Sequence, residues 1–441
     1  MADIFPFHAY RYNSDRVRPA DVLTQPYDKI TPAMQQRYAR ASPYNLIPVE
    51  KGQPSPADSA TDNVYTRAEQ ALQQWIREGI LVRDSSPGIY VYSQEYTVPG
   101  GTERRTRTGF IALGRVEDYS AGVVFRHEHT LTGPKADRLE LLRHTRTHTG
   151  QLFMLYTDPQ RRVDSLLNAA ASGTPVEARD EYEVVHRLWP VFDAGAIAGV
   201  TRAMADQKLV IADGHHRYET AIAYRNERRA ADPRRNPHAP YEKVMMTFIN
   251  TRSEGLLILP THRVIAALPQ FDAQAFRRNM EATFDQNVWS FGSSAARAEA
   301  FDKFRRELTA TGSSVPAVGM YSGGAFVLFC LKPAADLAAL LPDVPPALRR
   351  LDVVLLHRLL LDKGLGITAA TVAAGQHLTY ERDIAVALAA VDEGKAQACF
   401  LLNSIAVETV TEIALSGQVL PQKSTDFYPK LLSGITLYRM E

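Results

Sequence analysis

The sequence has little that could stabilise it covalently or hold it in a membrane. Its two cysteines, Cys330 and Cys399, lie in apolar runs, so neither a disulfide framework nor a cysteine-based zinc site is expected. The sequence does not open with a basic segment followed by an apolar one. Its most apolar helical stretch, residues 351–366, is interrupted by acidic and basic side chains and is too short to span a bilayer. These absences together predict a cytoplasmic protein.

Net charge is also nearly absent. Lysine and arginine number 50 against 49 aspartates and glutamates, which leaves a formal charge of +1 and no global field to attract nucleic acid or an anionic membrane. No helix-turn-helix is apparent, and no P-loop pattern of the form G-x-x-x-x-G-K-[ST] occurs. Nucleic acid and membranes are therefore not expected as partners, and the oligomeric state is not predicted.

Strand and helix patterns interleave along the 441 residues, which are 45% hydrophobic and 22% charged. The alternating stretches "IYVYSQEYT" and "RRTRTGFIALGRV" flank a Gly-Gly turn and predict a hairpin. Thr31 is the expected N-cap of a helix over residues 32–40, and a second helix is predicted over residues 63–78. This interleaving predicts an α/β or α+β fold with mixed sheets and flanking helices. We expect an N-terminal α+β region (1–116), a central region (117–255) and a C-terminal α+β domain (256–441).

The stretch "KLVIADGHHRYETAIAYR", residues 208–225, predicts a short strand that turns into a helix. Asp213 is expected to cap the helix, and Gly214 allows a ligand to approach the backbone closely. His215, His216 and Arg217 then place three potential cations at a helix N-terminus, which by itself favours an anion. A bound phosphate or carboxylate would remove that conflict.

Two other polar clusters could carry chemistry. In "FRHEHTLTGPKADRLELL", His127-Glu128-His129 precedes a predicted helix that contains Arg138. A carboxylate between histidines can act as a general base or a metal ligand, although the pattern is not H-E-x-x-H. The alternative is a solvated loop before a capped helix.

The second cluster lies in the proline-bounded stretch "LPQKSTDFYPKLLSG", residues 420–434. Lys423, Ser424, Thr425 and Lys430 lie in this loop, and a Lys-Ser-Thr cluster suits an oxyanion. The alternative is a surface turn whose lysines extend into solvent.

These stretches together resemble a known family. "QPYDKI", "HEHTLTGPKADRLELL", "ADGHHRYETA", "LPTHRV" and "PQKSTDFYPK" are similar, in this order and over nearly the whole chain, to a bacterial family of uncharacterised proteins, domain of unknown function 1015. That resemblance implies no activity.

A more distant resemblance does imply one. Proteins of the ParB/sulfiredoxin-like fold place a short motif at a strand-to-helix turn, and the free serine kinases of SerK type carry Asp-Gly-His-His-Arg there with a His-Glu pair upstream. The resemblance implies that region 117–255 is a core of that fold with an insertion at about 157–207. It also implies a catalytic Glu128 acting as base, beside His127.

The same resemblance assigns the DGHHR turn itself. Gly214, His215, His216 and Arg217 would hold nucleotide phosphates, and Asp213 would position Mg²⁺ or the turn. Arg138, on the helix between the two motifs, and the Lys423–Thr425 cluster are further candidate phosphate-binding residues.

The leading functional prediction is a nucleotide-dependent phosphotransferase, kinase-like, that uses ADP or ATP with Mg²⁺ on a small hydroxylated metabolite, with serine among the candidate acceptors. One alternative is a nucleotide-binding regulatory protein without transferase activity. The other is a metal-dependent hydrolase with mixed nitrogen and oxygen ligands, drawn from His127, His129, Asp213, His215 and His216.

Overall fold

A computed structural model of the chain describes residues 2–128, 133–232, 234 and 236–441. His129, one of the predicted metal ligands, lies outside the described residues. The chain forms two compact units, one comprising Met1–Leu257 with Phe427–Glu441 and the other Ile258–Asp426. The last fifteen residues thus return to the unit in which the chain begins.

Strands and helices alternate along both units. In chain order the strands are Ile4–Phe5 (β1), Tyr10–Tyr12 (β2), Leu81–Arg83 (β3), Ile89–Thr97 (β4), Arg104–Arg115 (β5), Val124–Phe125 (β6), Thr147–His148 (β7), Leu152–Tyr156 (β8), Val176–Arg179 (β9), Val185–Val191 (β10), Leu209–Asp213 (β11), Lys243–Asn250 (β12), Leu257–Leu259 (β13), His262–Ile265 (β14), Phe284–Ser290 (β15), Ala317–Tyr321 (β16), Ala325–Leu331 (β17), Leu378–Glu381 (β18), Ala398–Leu401 (β19), Asp426–Tyr428 (β20) and Tyr438–Arg439 (β21).

The α-helices in chain order are Pro19–Val22 (α1), Pro32–Ala41 (α2), Ile47–Glu50 (α3), Val64–Arg77 (α4), Gly133–Thr145 (α5), Arg162–Ala170 (α6), Ala194–Met204 (α7), His215–Ala231 (α8), Ala273–Met280 (α9), Ser294–Gly312 (α10), Leu337–Leu340 (α11), Asp352–Leu355 (α12), Ala369–Ala373 (α13), Ile384–Asp392 (α14) and Val407–Leu415 (α15). A π-helical stretch, Leu356–Lys363, continues α12.

The first unit is built on a nine-stranded mixed sheet. Its strand order is β6-β11-β8-β12-β5-β4-β10-β9, with β1 beside β5. The pairs β6/β11 and β8/β12 are parallel, and the other neighbours are antiparallel. Because β8 runs opposite to β11, the carboxyl ends of β6 and β11 and the amino end of β8 meet at one edge of the sheet.

One face of this sheet carries the apolar core. Successive side chains of a strand point to opposite faces, so Phe110 and Ala112 of β5 share the face that also carries Phe248 of β12. The rings of Phe110 and Phe248 stack with centroids 4.9 Å apart. Helix α8 contributes Tyr218 and Ala221 to the same core, which fixes the helix start at the sheet edge.

The opposite face is buried but polar. Tyr92 and Gln94 of β4 and Arg107 of β5 lie on it, and each is at most 1% exposed. His186 of β10 is also buried there, and its Nδ1 lies 2.6 Å from the Tyr92 hydroxyl. Buried polar groups need partners, and these side chains find theirs among one another and in the backbone carbonyls of Tyr428 and Lys430.

The second unit contains a six-stranded antiparallel sheet of order β15-β17-β16-β19-β14-β18. Its core packs Phe304 of α10 against Phe326 of β17, with ring centroids 5.2 Å apart. Buried Arg263 of β14 donates a hydrogen bond to the Nε2 atom of His357 at 3.2 Å.

The structure confirms the predicted mixed α/β class. The predicted hairpin is β4 paired with β5, Thr31 caps α2, and Asn63 begins α4 with a capping box. The division into regions 1–116, 117–255 and 256–441 stays a prediction. No helix within the described ranges is both long and apolar enough to cross a membrane.

Candidate active site

The edge formed by β6, β11 and β8 brings the two predicted motifs together. His127 and Glu128 follow β6, and Asp213 ends β11. The Nδ1 atom of His127 lies 2.6 Å from the backbone oxygen of Ile211, which ties the first motif to the strand of the second. The rings of His127 and His215 have centroids 4.7 Å apart. The His-Glu pair and the DGHHR turn therefore belong to one site.

Gly214 forms the turn between β11 and α8. Its φ of +97° is in the left-handed region that glycine adopts at little cost. It is also the N-cap of α8, and no side chain caps the helix. The prediction that Asp213 caps α8 is wrong, because the Asp213 carboxylate is held by Lys430 instead.

Asp213 lies among cations. Its Oδ2 atom accepts a hydrogen bond from Lys430 Nζ at 2.9 Å, and its Oδ1 lies 3.9 Å from Arg217 Nη2. Burial alone would raise the pKa of the Asp213 carboxyl, but Lys430, Arg217 and Lys29 hold that pKa far below its usual range. Three cationic side chains act on this one carboxylate, which favours a second anion nearby.

Arg217 spans the gap between the turn and the neighbouring strand. Its Nη1 donates a hydrogen bond to the Gln151 carbonyl at 2.6 Å, just before β8 begins. A β-carbon at Gly214 would lie 3.2 Å from Arg217 Nε and Nη2, and one at Gly150 would lie 3.0 Å from Nη1. The guanidinium group is thus packed between two glycines, which leaves its planar donors close to the uncapped end of α8.

His127 and His215 are neutral at pH 7. Burial lowers the pKa of His127 to about 4 and that of His215 well below its usual value. The prediction of three potential cations at the helix end therefore fails for His215, whose burial removes its charge. The Nε2 atom of His215 is inaccessible and has no hydrogen-bond partner among the described residues. A buried polar atom without a partner is costly, so this atom is a candidate contact for a ligand or a water.

Glu128 lies beside His127, with its Oε2 atom 4.0 Å from His127 Nε2. A backbone carbonyl can only accept, so the His127 proton is assigned to Nδ1, which donates to Ile211. Because the ring is neutral, its Nε2 atom carries a lone pair and His127 does not neutralise the Glu128 carboxylate. The Glu128 side chain is 16% exposed, so its carboxylate is accessible from solvent.

Replacing Gly214 by alanine tests the turn. We expect the free energy of unfolding to fall by about 1–2 kcal/mol, because a left-handed φ is unfavourable for an L-residue, and the new methyl group also displaces Arg217. Urea unfolding and calorimetric binding of ADP would measure both effects. Gly122→Ala is the matched control, since Gly122 has a φ of +67° and open space around it. Equal ADP affinity in the two variants would contradict the role given to Arg217 at this turn.

Arg138, a predicted phosphate-binding residue, is engaged with protein groups. It pairs with Asp137 at 2.6 Å, donates to the Glu50 carbonyl at 2.8 Å and lies over the Tyr27 ring at 4.4 Å. Together with Arg217 it lines a small pocket of about 50 Å³ beside the turn. Its role in binding phosphate stays a prediction.

The Lys423–Thr425 cluster belongs to the second unit. There the Lys423 carbonyl accepts a hydrogen bond from Arg263 at 3.2 Å, and the Ser424 hydroxyl donates to the Pro421 carbonyl. The predicted phosphate contact of these residues stays a prediction.

A metal ion on Asp213 does not fit the donors present. Lys430 holds one carboxylate oxygen, and Arg217 and Lys29 add further positive charge. Within the described parts of the chain, no group of three His, Cys, Asp or Glu side chains is arranged to hold a metal. We therefore assign no step to a protein-bound metal.

The sequence model of one family matches most of the chain. That family is described as "Protein of unknown function (DUF1015)", and the match covers residues 4–354. The chain belongs to this family. Both predicted motifs of this DUF1015 protein lie within the matched residues. No curated protein matches the chain.

Several solved structures are similar to this DUF1015 protein at low identity. A conserved hypothetical protein from Pyrococcus furiosus is 12% identical, with 70% of this chain and 90% of that chain covered and a TM-score of 0.32. A free serine kinase in complex with AMP is 11% identical, with coverages of 70% and 88% and a TM-score of 0.35. SbnI with a C-terminal truncation, from Staphylococcus aureus, is 8% identical, with coverages of 73% and 85% and a TM-score of 0.33. At these identities and TM-scores the similarities support no argument about activity.

Several residues of the site were not predicted as site residues. Lys430 was noted only as a residue of the 420–434 loop, and Glu50, Arg107 and Gln151 were not singled out. Alternation in β5 places Arg107 on the same face as Ile111, so a buried arginine could have been inferred from the strand pattern. The contact between Lys430 and Asp213 joins residues 217 positions apart, and no local pattern indicates it.

Proposed function

We propose that this DUF1015 protein binds the phosphates of ADP or ATP at the Asp213–Arg217 turn and transfers a phosphoryl group to the hydroxyl of a small metabolite, with serine among the candidates. The observation that carries the proposal is the position of Glu128. It lies beside His127, whose ring contacts His215 at the cationic turn. Phosphoryl transfer depends mainly on positioning and charge neutralisation. The site combines cations for the phosphates with a carboxylate for the acceptor.

The roles divide between the two motifs. Arg217 and the N–H groups at the start of α8 would contact phosphate oxygens, and His215 Nε2 would supply a further polar contact. Glu128 would take the proton of the acceptor hydroxyl as its oxygen attacks phosphorus. The bond from that phosphorus to the nucleotide oxygen breaks, and the nucleotide leaves one phosphoryl group shorter. Magnesium would enter this scheme with the nucleotide phosphates and not on Asp213.

A substrate screen with the full-length protein tests the proposal. Purified protein is incubated with ADP or ATP, Mg²⁺ and a pool of hydroxylated metabolites, and phosphorylated products are sought by mass spectrometry. We expect a product that depends on protein, nucleotide and one acceptor. Tight nucleotide binding without any product would overturn the transferase proposal and support the regulatory alternative. Absence of both binding and product would overturn the nucleotide site as well.

A further inference from the structure

Residues 427–433, here called the C-terminal segment, lie across the polar face of the nine-stranded sheet. The ring of Phe427 packs 5.4 Å from that of Phe153 and 5.9 Å from that of His127. At the other end, the Ser433 hydroxyl donates to Glu50 at 2.9 Å. The segment therefore passes directly beside the candidate active site.

Arg107 of β5 holds this segment on the polar face of the sheet. It is fully buried, and its guanidinium donates to the Tyr428 carbonyl at 3.0 Å, to the Pro429 carbonyl and to Gln94 Oε1. Among the described residues no carboxylate accepts a hydrogen bond from Arg107. Because the hydrogen-bond acceptors of this buried cation are neutral, the carbonyls of the segment and Arg107 hold each other in place.

Gln94 completes the support. Its Oε1 accepts from Arg107, and its Nε2 donates to the Lys430 carbonyl at 2.7 Å. The backbone of Lys430 is thereby fixed, and its side chain, 10% exposed, reaches Asp213 with 2.9 Å between Nζ and Oδ2. The contacts of Gln94 and Arg107, which lie outside the turn, therefore position the Lys430 ammonium group beside Asp213.

We propose that Lys430 is a phosphate-binding residue of this site and that Arg107 and Gln94 position it; the proposal rests on the nucleotide site proposed above. An ammonium group has three donors, so Lys430 can contact Asp213 and a phosphate oxygen at once. Asp213 then serves as an ionic partner of Lys430 when no ligand is bound.

Calorimetric titration of the full-length protein with ADP, with and without Mg²⁺, tests the proposal. Lys430→Gln is expected to raise the Kd for ADP by about tenfold or more, as expected for loss of a charge-assisted hydrogen bond. Lys395→Gln is the matched control, because Lys395 is 74% exposed and pairs with Glu393 at the surface. Its Kd should equal that of the wild type.

A double-mutant cycle separates positioning from general destabilisation. Gln94→Met and Arg107→Lys should each raise the Kd for ADP when Lys430 is present, and neither should raise it further in the Lys430→Gln background. Additive effects would overturn the positioning role. If the wild type binds ADP and Lys430→Gln binds it equally well, the role of Lys430 is overturned while the nucleotide site stands. If the wild type does not bind ADP, both are overturned.

Discussion

Glu128→Gln is expected to lower kcat by about 10²–10⁴-fold, the range that a positioned general base contributes. Glutamine keeps the size of the side chain but cannot accept the hydroxyl proton. The rate would be measured with the acceptor identified in the metabolite screen.

The nucleotide affinity of Glu128→Gln should stay near that of the wild type. The proposed phosphate contacts come from the cationic side chains around Asp213, and Glu128 is not one of those contacts. Glu140→Gln is a suitable control, since Glu140 is 39% exposed and pairs with Arg143 on α5. An unchanged kcat in Glu128→Gln would show that Glu128 is not the general base. A large loss of nucleotide affinity in Glu128→Gln would instead make Glu128 part of the binding site.

The second large effect is a loss of stability in mild acid. Burial lowers the pKa of His127 and of His148 to about 4, against an unfolded value of about 6.5. Below the unfolded pKa the unfolded chain binds a proton at each of these histidines and the folded chain does not. The free energy of unfolding of the first unit should therefore fall by about 1.4 kcal/mol per pH unit for each histidine between pH 6.5 and 4.

Other buried groups also change the pH dependence of the free energy of unfolding, and the measurement must separate the two units. His186 and His215 are shifted in the same direction. In the second unit, burial raises the pKa of Asp352 to about 7. Protonation of this carboxyl group as the pH falls therefore stabilises the folded state and opposes the loss of stability caused by the histidines. Urea unfolding should be followed by tryptophan fluorescence in a Trp289→Phe background. The remaining tryptophans then report on the first unit alone.

His148→Asn should reduce the pH dependence of that unfolding free energy by about one proton. His148 stacks on Tyr438, with ring centroids 5.9 Å apart, and is not assigned a role in catalysis. His238→Asn is the control, because His238 is exposed. An unchanged slope in His148→Asn, or stability that rises on acidification, would contradict the assignment of a neutral imidazole at His148.

Local patterns were enough to predict much of the fold. Alternation with a Gly-Gly turn predicts the β4/β5 hairpin, since period-two polarity and a tight turn are both properties of neighbouring residues. The strand-to-helix turn at Gly214 could likewise be predicted, because an apolar strand, a glycine and a helical period follow one another directly.

The charges of the site could not be predicted in this way. His215 looked like a cation in the sequence, but its charge depends on burial, which is a property of the packed chain. Asp213 looked like a helix cap, but its partner is Lys430, which the chain supplies from its far end.

The sequence by itself determined that this chain has a mixed α/β fold and that His127-Glu128 and Asp213–Arg217 are its candidate motifs, because turn chemistry, periodicity and motif spacing are encoded locally. Only the tertiary structure decided that the two motifs share a sheet edge and that Lys430 contacts Asp213. Those contacts depend on strand order and on a C-terminal segment that returns after the second unit. Distances between residues so far apart in the chain are set by packing and not by any local pattern.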